Sequence, residues 1–254
     1  MLDFLFPPKC AACDSFISAE RVLGFCSQCS RDIHWIKEPI CPVCGVSYQA
    51  INDEGNSLRK NSRTVVDDKL NHPCGNCIRK IYKFDTARAS VVYRGKLKET
   101  IKRFKFANMP GLSGSLVKIM TFNPLVKAVV SHADLVMPVP LHKKRLKKRG
   151  YNQALLLARD LSREFNIGLE EHNLRRTKHT LPQVGLGKKE RRKNVKGAFS
   201  ITRPERVKGK DVLLVDDVFT TGNTLSECAG ELKKSGARTV LAITIARVLA
   251  TDFD

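Results

Sequence analysis

Two adjacent carboxylates, Asp216 and Asp217, follow a run of four apolar residues and precede a hydroxyl-rich turn around one glycine. The apolar run predicts a buried strand that ends at the carboxylates, and the turn predicts a helix from Thr224 to about Ser235, stopped by Gly236. Free N–H groups at a helix N-terminus attract phosphate, and a glycine lets the backbone approach it closely. The carboxylates can accept hydrogen bonds from ribose hydroxyls, directly or through Mg²⁺. The pattern therefore predicts a site for a ribose 5-phosphate. The residues of this predicted site are Asp216, Asp217, Thr220, Thr221, Gly222, Asn223 and Thr224.

The same segment resembles the motif with which type I phosphoribosyltransferases bind phosphoribosyl pyrophosphate (PRPP). The resemblance implies that Asp216 and Asp217 hold the ribose as catalytic residues, while the Thr-rich turn holds the 5-phosphate. A solvated acidic pair in an ordinary strand, turn and helix is the alternative without a ligand. A receiver domain also places an acidic pair at a strand end, but only 37 residues follow Asp217, which does not suit that fold.

Eight of the nine cysteines form four Cys-x-x-Cys pairs. This spacing lets a tight turn present two thiolates to one tetrahedral Zn²⁺, and two such turns close a structural site. The N-terminus does not read as an export signal, so metal binding accounts for the cysteines better than disulfides do. Thioredoxin-like chemistry is disfavoured because no βαβ pattern surrounds a pair. Two zinc ions are therefore expected, with an interleaved pairing left open beside the sequential one. Sequential pairing groups Cys10, Cys13, Cys26 and Cys29 around one ion and Cys41, Cys44, Cys74 and Cys77 around the other.

The net charge of +20 is concentrated in the second part of the chain. Residues 81–254 carry 35 of the 45 Lys and Arg residues but 16 of the 25 Asp and Glu residues. The basic residues cluster at 143–149, 175–178 and 188–196. Such charge favours a polyanionic partner, first nucleic acid and second an anionic membrane surface. An aromatic content of 7% offers few platforms for stacked bases, which argues against tight base-stacking recognition.

An apolar strand at 135–137 leads into the first basic cluster, where the resemblance to type I phosphoribosyltransferases implies a loop for pyrophosphate. The residues assigned to pyrophosphate and to a mobile flap are Lys143, Arg145, Arg149, Arg176, Arg191 and Arg192. A helix with a buried face of Ala and Leu residues is predicted to start near Gln153. An amphipathic helix is predicted over 96–107, with Leu97 and Phe104 on one face and Lys105 with other lysines on another.

Together these motifs resemble the ComF family (ComFC-like or GntX-like) over essentially the whole chain. The resemblance implies an α/β type I phosphoribosyltransferase fold, a parallel sheet flanked by helices, at 81–254, preceded by a double zinc ribbon at 1–80. It further implies a role in natural competence, in handling incoming single-stranded DNA, with competence or DNA-processing proteins as partners. Asn223 departs from the small residue that is common at this place of the motif. A cytoplasmic protein is expected, since no apolar run reaches membrane-spanning length.

Two hypotheses of different classes follow for the PRPP-type site. In the first, the protein is a phosphoribosyltransferase that uses Mg²⁺ with PRPP. In the second, it is a non-catalytic accessory protein that senses PRPP and binds nucleic acid. Glutamine-dependent amidotransfer is disfavoured, because that chemistry needs a free N-terminal cysteine nucleophile and Cys10 belongs to a metal-ligand pair.

Overall fold

The structure is a computed structural model that describes residues 8–17, 23–48, 72–79, 81–178 and 195–249. Its helices are α1 (Ser27–Arg31), α2 (Gly75–Ile78), α3 (Gly95–Phe106), α4 (Ser113–Phe122), α5 (Pro124–Val130), α6 (Lys143–Arg149), α7 (Gln153–Phe165) and α8 (Asn223–Lys234), with 3₁₀ turns at Pro110–Leu112 and Pro204–Arg206. Its strands are β1 (Thr86–Val92), β2 (Leu135–Pro138), β3 (Gly168–Leu169), β4 (Leu174–Arg176), β5 (Phe199–Ile201), β6 (Asp211–Phe219) and β7 (Thr239–Arg247). Arg191 and Arg192, and the centre of the predicted flap, lie outside the described residues.

Five strands form a parallel sheet in the order β1-β7-β6-β2-β3. The central strands β6 and β7 are nine residues long, and most of their side chains are buried. A parallel strand covered on both faces requires a near-continuous apolar sequence, which both strands have. Strands β4 and β5 form a separate antiparallel pair. The predicted α/β class, a parallel sheet flanked by helices, is confirmed.

Successive residues of β6 pack into two different layers, as the pleat of a strand requires. Leu213 and Val215 belong to a core shared with α3, α4 and α7. Val212 and Leu214 belong to a second core shared with α8. The helices that follow β2 and β6 therefore cover opposite faces of the sheet.

The strands run parallel, but the direction in which the chain adds successive strands to the sheet reverses between β2 and β6. From β2 the chain moves outward to β3, whereas from β6 it moves to β7 on the other side. Such a reversal opens a crevice at the carboxyl ends of the two strands, where ligands of open α/β sheets bind. Asp216 and Asp217 lie near the carboxyl end of β6, and the predicted pyrophosphate residues Lys143, Arg145 and Arg149 lie on the helix that follows β2. Arg176 ends β4 instead.

Two local predictions need correction. Strand β6 does not end at the carboxylates but continues to Phe219, because the neighbouring β7 extends equally far and pairs Phe219 with Arg247. The basic run after β2 forms the helix α6 rather than a loop. Lys, Arg and Leu are good helix formers, the His142 side chain caps the first turn, and Gly150 at φ 81° ends the helix.

The N-terminal segments pack directly on the sheet and its helices. Arg103 of α3 donates hydrogen bonds to the carbonyls of Ala11 and Ala12, beside the first cysteine cluster. The Ala87 N–H of β1 donates to the Val43 carbonyl at 2.7 Å, beside the second cluster. The division of the chain at residue 80 stays a prediction. Among the described helices, none combines the length and the apolar character that crossing a membrane requires.

Candidate functional site

The carboxylates of Asp216 and Asp217 lie near the carboxyl end of β6, beside the crevice. Asp217 is buried, and its Oδ1 lies 2.8 Å from the Lys105 Nζ at the end of α3. The Asp217 N–H donates to the Asp216 Oδ1 at 2.9 Å. The pair is thus held from two directions, by β6 and by α3, which fixes the position of both carboxylates.

The Asp216 carboxyl holds its proton more strongly than an ordinary aspartate does. Burial, together with the neighbouring Asp217 carboxylate, raises the pKa of Asp216 to about 7, against the attraction of Lys105 and Arg149. An aspartate in an unfolded chain has a pKa of about 3.9. The folded protein therefore retains a proton on Asp216 that the unfolded chain loses, and the free energy of unfolding falls as the pH rises from about 4 to about 7.

We expect Asp216→Asn to stabilise the ligand-free protein above pH 7, because the neutral amide avoids the cost of a buried charge. Its Tm at pH 8 should rise by about 2–4 °C, the shift that about 1 kcal/mol gives in a chain of this size. The difference from the parent should shrink at pH 5.5, where the parent carboxyl holds its proton. Thermal melts at the two pH values check this, and an equal shift at both would contradict the assignment of the raised pKa.

The turn after β6 has the conformation that its sequence predicts. Gly222 has φ 73° and is the N-cap residue of α8, which begins at Asn223, one residue before the predicted start. A Cβ on Gly222 would lie 2.6 Å from Phe219 Cζ and 2.8 Å from Tyr82 Cε1. Glycine is therefore required by the two rings beneath the turn as well as by its backbone conformation. Thr220, Thr221, Asn223 and Thr224 are partly exposed around it.

Three guanidinium groups of the predicted pyrophosphate site come together near the carboxylates. Burial lowers the pKa of Arg145, and the positive charges of Arg176 and Arg149 lower it further. Arg149 donates to the Gln153 Oε1 at 2.9 Å, and its charge also acts on Asp216. Mutual repulsion among partly buried cations favours an anion between them. Lys143, by contrast, lies on the exposed side of α6.

Lys105 is the site residue that the sequence analysis missed. It was predicted to lie on the polar face of α3, yet its side chain is only 17% exposed and pairs with Asp217. The sequence does contain an indication that Lys105 is buried. Lys105 comes four residues after the buried Ile101 and so lies on the same side of the helix. A cation on an otherwise apolar helix face indicates a buried anionic partner.

The eight paired cysteines form the two clusters of the sequential pairing, which excludes the interleaved one. Within each cluster the four Sγ atoms lie within 4.8 Å of one another. A tetrahedral Zn²⁺ with Zn–S bonds of about 2.3 Å places its sulfurs about 3.8 Å apart. The Cys13–Cys26 and Cys44–Cys74 sulfur distances are 3.8 and 3.6 Å. Both clusters therefore fit structural zinc.

Backbone hydrogen bonds favour the thiolate form of Cys41 in the second cluster, whereas burial raises the pKa values of Cys44 and Cys77. Burial acts to raise the pKa of Cys41, but N–H groups of the knuckles lower it to about 6. These donors are the amides of Cys44 and Cys74, at 3.5 and 3.3 Å from the Cys41 sulfur. The ninth thiol, Cys228 in α8, is fully buried, and burial raises its pKa well above the usual value. It is a packed thiol, as predicted for an inert cysteine.

Comparison with known proteins finds two domain families in this chain. Residues 1–78 match the family model of the double zinc ribbon domain, and residues 152–253 match that of the phosphoribosyl transferase domain. Competence protein F of Haemophilus influenzae is 33% identical over 229 residues, which cover 88% of this chain and 90% of that protein. Competence protein ComFC of Bacillus subtilis is 27% identical and covers 94% of both chains.

Among solved structures, an adenine phosphoribosyltransferase overlaps 58% of this chain and 75% of its own, with 15% identity and a TM-score of 0.37. The DNA utilization protein YhgH of Escherichia coli O157:H7 is a further relative, 30% identical over 89% of this chain and 91% of that protein. Because relatives at 30% identity or more span most of both sequences, the chain belongs to the ComF family, which joins a double zinc ribbon to a type I phosphoribosyltransferase fold.

Proposed function

We propose that this protein binds PRPP, together with Mg²⁺, in the crevice between β2 and β6. The observation that carries the proposal is the acidic pair near the end of β6, with the charges of Arg149 and Arg176 acting both on Asp216 and on Arg145. The glycine turn that opens α8 follows the acidic pair directly after β6. Carboxylates suit the ribose hydroxyls, a helix N-terminus suits the 5-phosphate, and guanidinium groups suit the pyrophosphate. One ligand with all three groups matches the whole arrangement.

Each residue then has a distinct task. Asp216 and Asp217 accept hydrogen bonds from the ribose hydroxyls, and the ion pair with Lys105 holds Asp217 in place. The turn at 220–224 holds the 5-phosphate with backbone N–H groups and hydroxyls. Arg145, Arg149 and Arg176 offset the charge that grows on the pyrophosphate as its bond to the ribose C1 breaks. Asp216 and Asp217 would hold a Mg²⁺ ion that enters with PRPP, and the ion would supply neutralisation of the pyrophosphate charge.

An enzyme and a PRPP sensor are distinguished by the fate of the bound ligand. Pyrophosphate release from PRPP by the zinc-replete protein, in the presence of nucleobases or single-stranded DNA, would support phosphoribosyl transfer. Stable binding without release under any of these conditions would support the sensor. The relatives' names, competence protein F and DNA utilization protein, support a role of this chain in natural competence and DNA uptake.

We also propose that the surface beside the crevice binds single-stranded DNA. Helix α6 presents Lys143, Lys144 and other lysines to solvent. Phe106, next to Lys105 in the sequence, is 69% exposed, and the Arg149 guanidinium lies 4.8 Å from its ring centre. Exposed aromatic rings among cations are typical of single-strand binding, because bases stack on the rings while lysines contact phosphates. The aromatic content of the chain is low, but the exposed ring of Phe106 lies beside the proposed PRPP site.

Phe106→Ala is expected to weaken binding of a single-stranded oligonucleotide by about 5- to 100-fold, the effect of losing one stacked base. The dependence of affinity on salt should stay the same, because phosphate contacts are retained. Fluorescence anisotropy titrations at several salt concentrations measure both quantities. Phe122→Ala is the matched control, since it removes a 58% exposed ring from α4. Equal losses in the two variants, or a flat salt titration of the parent, would refute the proposed surface.

A further inference from the structure

Arg247, the last residue of β7, connects the second cysteine cluster to the end of β6. Its side chain is buried, and its Nη1 donates to the Cys44 carbonyl at 2.6 Å. Its Nη2 lies 3.7 Å from the Cys44 sulfur. The guanidinium also lies over the ring of Phe219, 4.1 Å from the ring centre. One buried cation thus contacts a metal ligand and the residue that precedes the phosphate turn.

The charge of Arg247 requires an anionic partner, because an uncompensated buried cation is costly. Among the described residues, no carboxylate forms an ion pair with it. The facing groups are the Cys44 sulfur and the Tyr82 hydroxyl, whose pKa burial raises to about 12, so that Tyr82 stays neutral. Four thiolates around one Zn²⁺ carry a net negative charge. The zinc-bound cluster is therefore the counter-charge of Arg247.

The phosphate turn at 220–224 packs on two aromatic side chains that lie next to the second cluster or to its contact Arg247. The Phe219 and Tyr82 rings lie directly beneath Gly222, within 3 Å of the place of a Cβ. Tyr82 donates from its hydroxyl to the Thr221 carbonyl at 3.2 Å and stacks on Phe84. Tyr82 follows the Cys77 knuckle by five residues. Two routes, through Arg247 and through Tyr82, therefore join the second cluster to the turn.

We propose that zinc in the second cluster positions the phosphate turn at 220–224, with Arg247 as the positioning residue. The coupling itself is independent of the ligand, whereas its consequence for PRPP affinity rests on the proposed function. Coupling between two sites is reciprocal. Zinc in the second cluster therefore raises the affinity for PRPP, and PRPP raises the affinity of the second cluster for zinc by the same factor.

The test is hydrogen exchange of the full-length, zinc-replete protein, followed by mass spectrometry on peptides that cover 219–225. Arg247→Met should speed exchange in these peptides by about fivefold or more. It should also weaken zinc binding to the second cluster by about 10- to 100-fold in a chelator competition, the usual effect of losing a partner of a metal ligand. Arg103→Met is the matched control, because Arg103 makes guanidinium contacts to the first ribbon instead.

Two further variants keep the test decisive if Arg247→Met folds poorly. Arg247→Lys keeps the charge but loses the planar stacking on Phe219, and should still speed exchange in the turn. Cys77→Ser opens the second cluster and should do the same, whereas Cys13→Ser opens the first and should not. Unchanged exchange at 219–225 in the Arg247 and Cys77 variants would overturn the proposal. Faster exchange in these variants, together with a parent protein that fails to bind PRPP, would leave the coupling intact and refute the proposed function.

Discussion

The Asp216→Asn/Asp217→Asn double variant is expected to lose stabilisation by PRPP and Mg²⁺ while keeping its fold. PRPP at about 100 times its Kd should stabilise the parent by about 2.7 kcal/mol, which corresponds to about 5–10 °C in Tm. The amides cannot bind Mg²⁺ as carboxylates do, and the Lys105 charge next to residue 217 is left without its partner. Thermal melts with and without PRPP and Mg²⁺ measure the difference.

Asp211→Asn is the matched control for this variant. Asp211 lies at the opposite end of the same strand and pairs with Arg238 at the surface, 2.7 Å away. Its replacement removes a carboxylate and an ion pair from β6 without touching the crevice. The control should keep the full shift with PRPP. A full shift in the double variant would show that PRPP binds elsewhere on the molecule.

Removal of zinc is expected to have the largest effect on stability. Cys10 and Phe25 of the first ribbon share a core with Leu97, Ile101 and Phe104 of α3, so an unfolded ribbon uncovers apolar surface of the second unit as well. Binding of a structural zinc contributes about 10–16 kcal/mol in small zinc domains, which makes it part of the folding free energy. Chelation should therefore lower the Tm by more than about 10 °C.

Elemental analysis accompanies this experiment and should give about two zinc ions per chain. Cys228→Ala is the matched control, because Cys228 is buried in α8 and belongs to neither cluster. The control should keep both zinc ions and the same sensitivity to chelation. A metal-free protein with an unchanged Tm would contradict the assignment of the clusters as zinc sites.

Features that depend on local spacing could be predicted from the sequence. The four Cys-x-x-Cys pairs determine which sulfurs share a turn, and the turn at Gly222 determines where α8 begins. The apolar run of β6 and the buried face of α7 follow from side-chain periodicity. The sequential cysteine grouping was the simplest prediction, but spacing alone left the interleaved one open, because it does not determine which pairs meet in space.

Features that depend on contacts distant in the sequence were missed. The ion pair between Lys105 and Asp217 joins residues 112 positions apart, and the contact between Cys44 and Arg247 joins residues 203 positions apart. Strand β6 continues beyond its carboxylates because β7 pairs with it as far as Phe219. The length of β7 cannot be inferred from the sequence of β6. The helix α6 is a different case, because the helix propensity of its Lys, Arg and Leu residues is a local signal that favours a helix over the predicted loop. The ion pair, the Arg247 contact and the length of β6 depend on tertiary packing that local patterns do not encode.

The central claim, a PRPP site in the crevice between β2 and β6, is tested most directly by calorimetric titration of the zinc-replete protein with PRPP and Mg²⁺. We expect saturable binding of one PRPP per chain, and weaker binding of ribose 5-phosphate, which lacks the pyrophosphate that Arg145, Arg149 and Arg176 are proposed to hold. Absence of binding by PRPP, or equal affinity for the two ligands, would contradict the account.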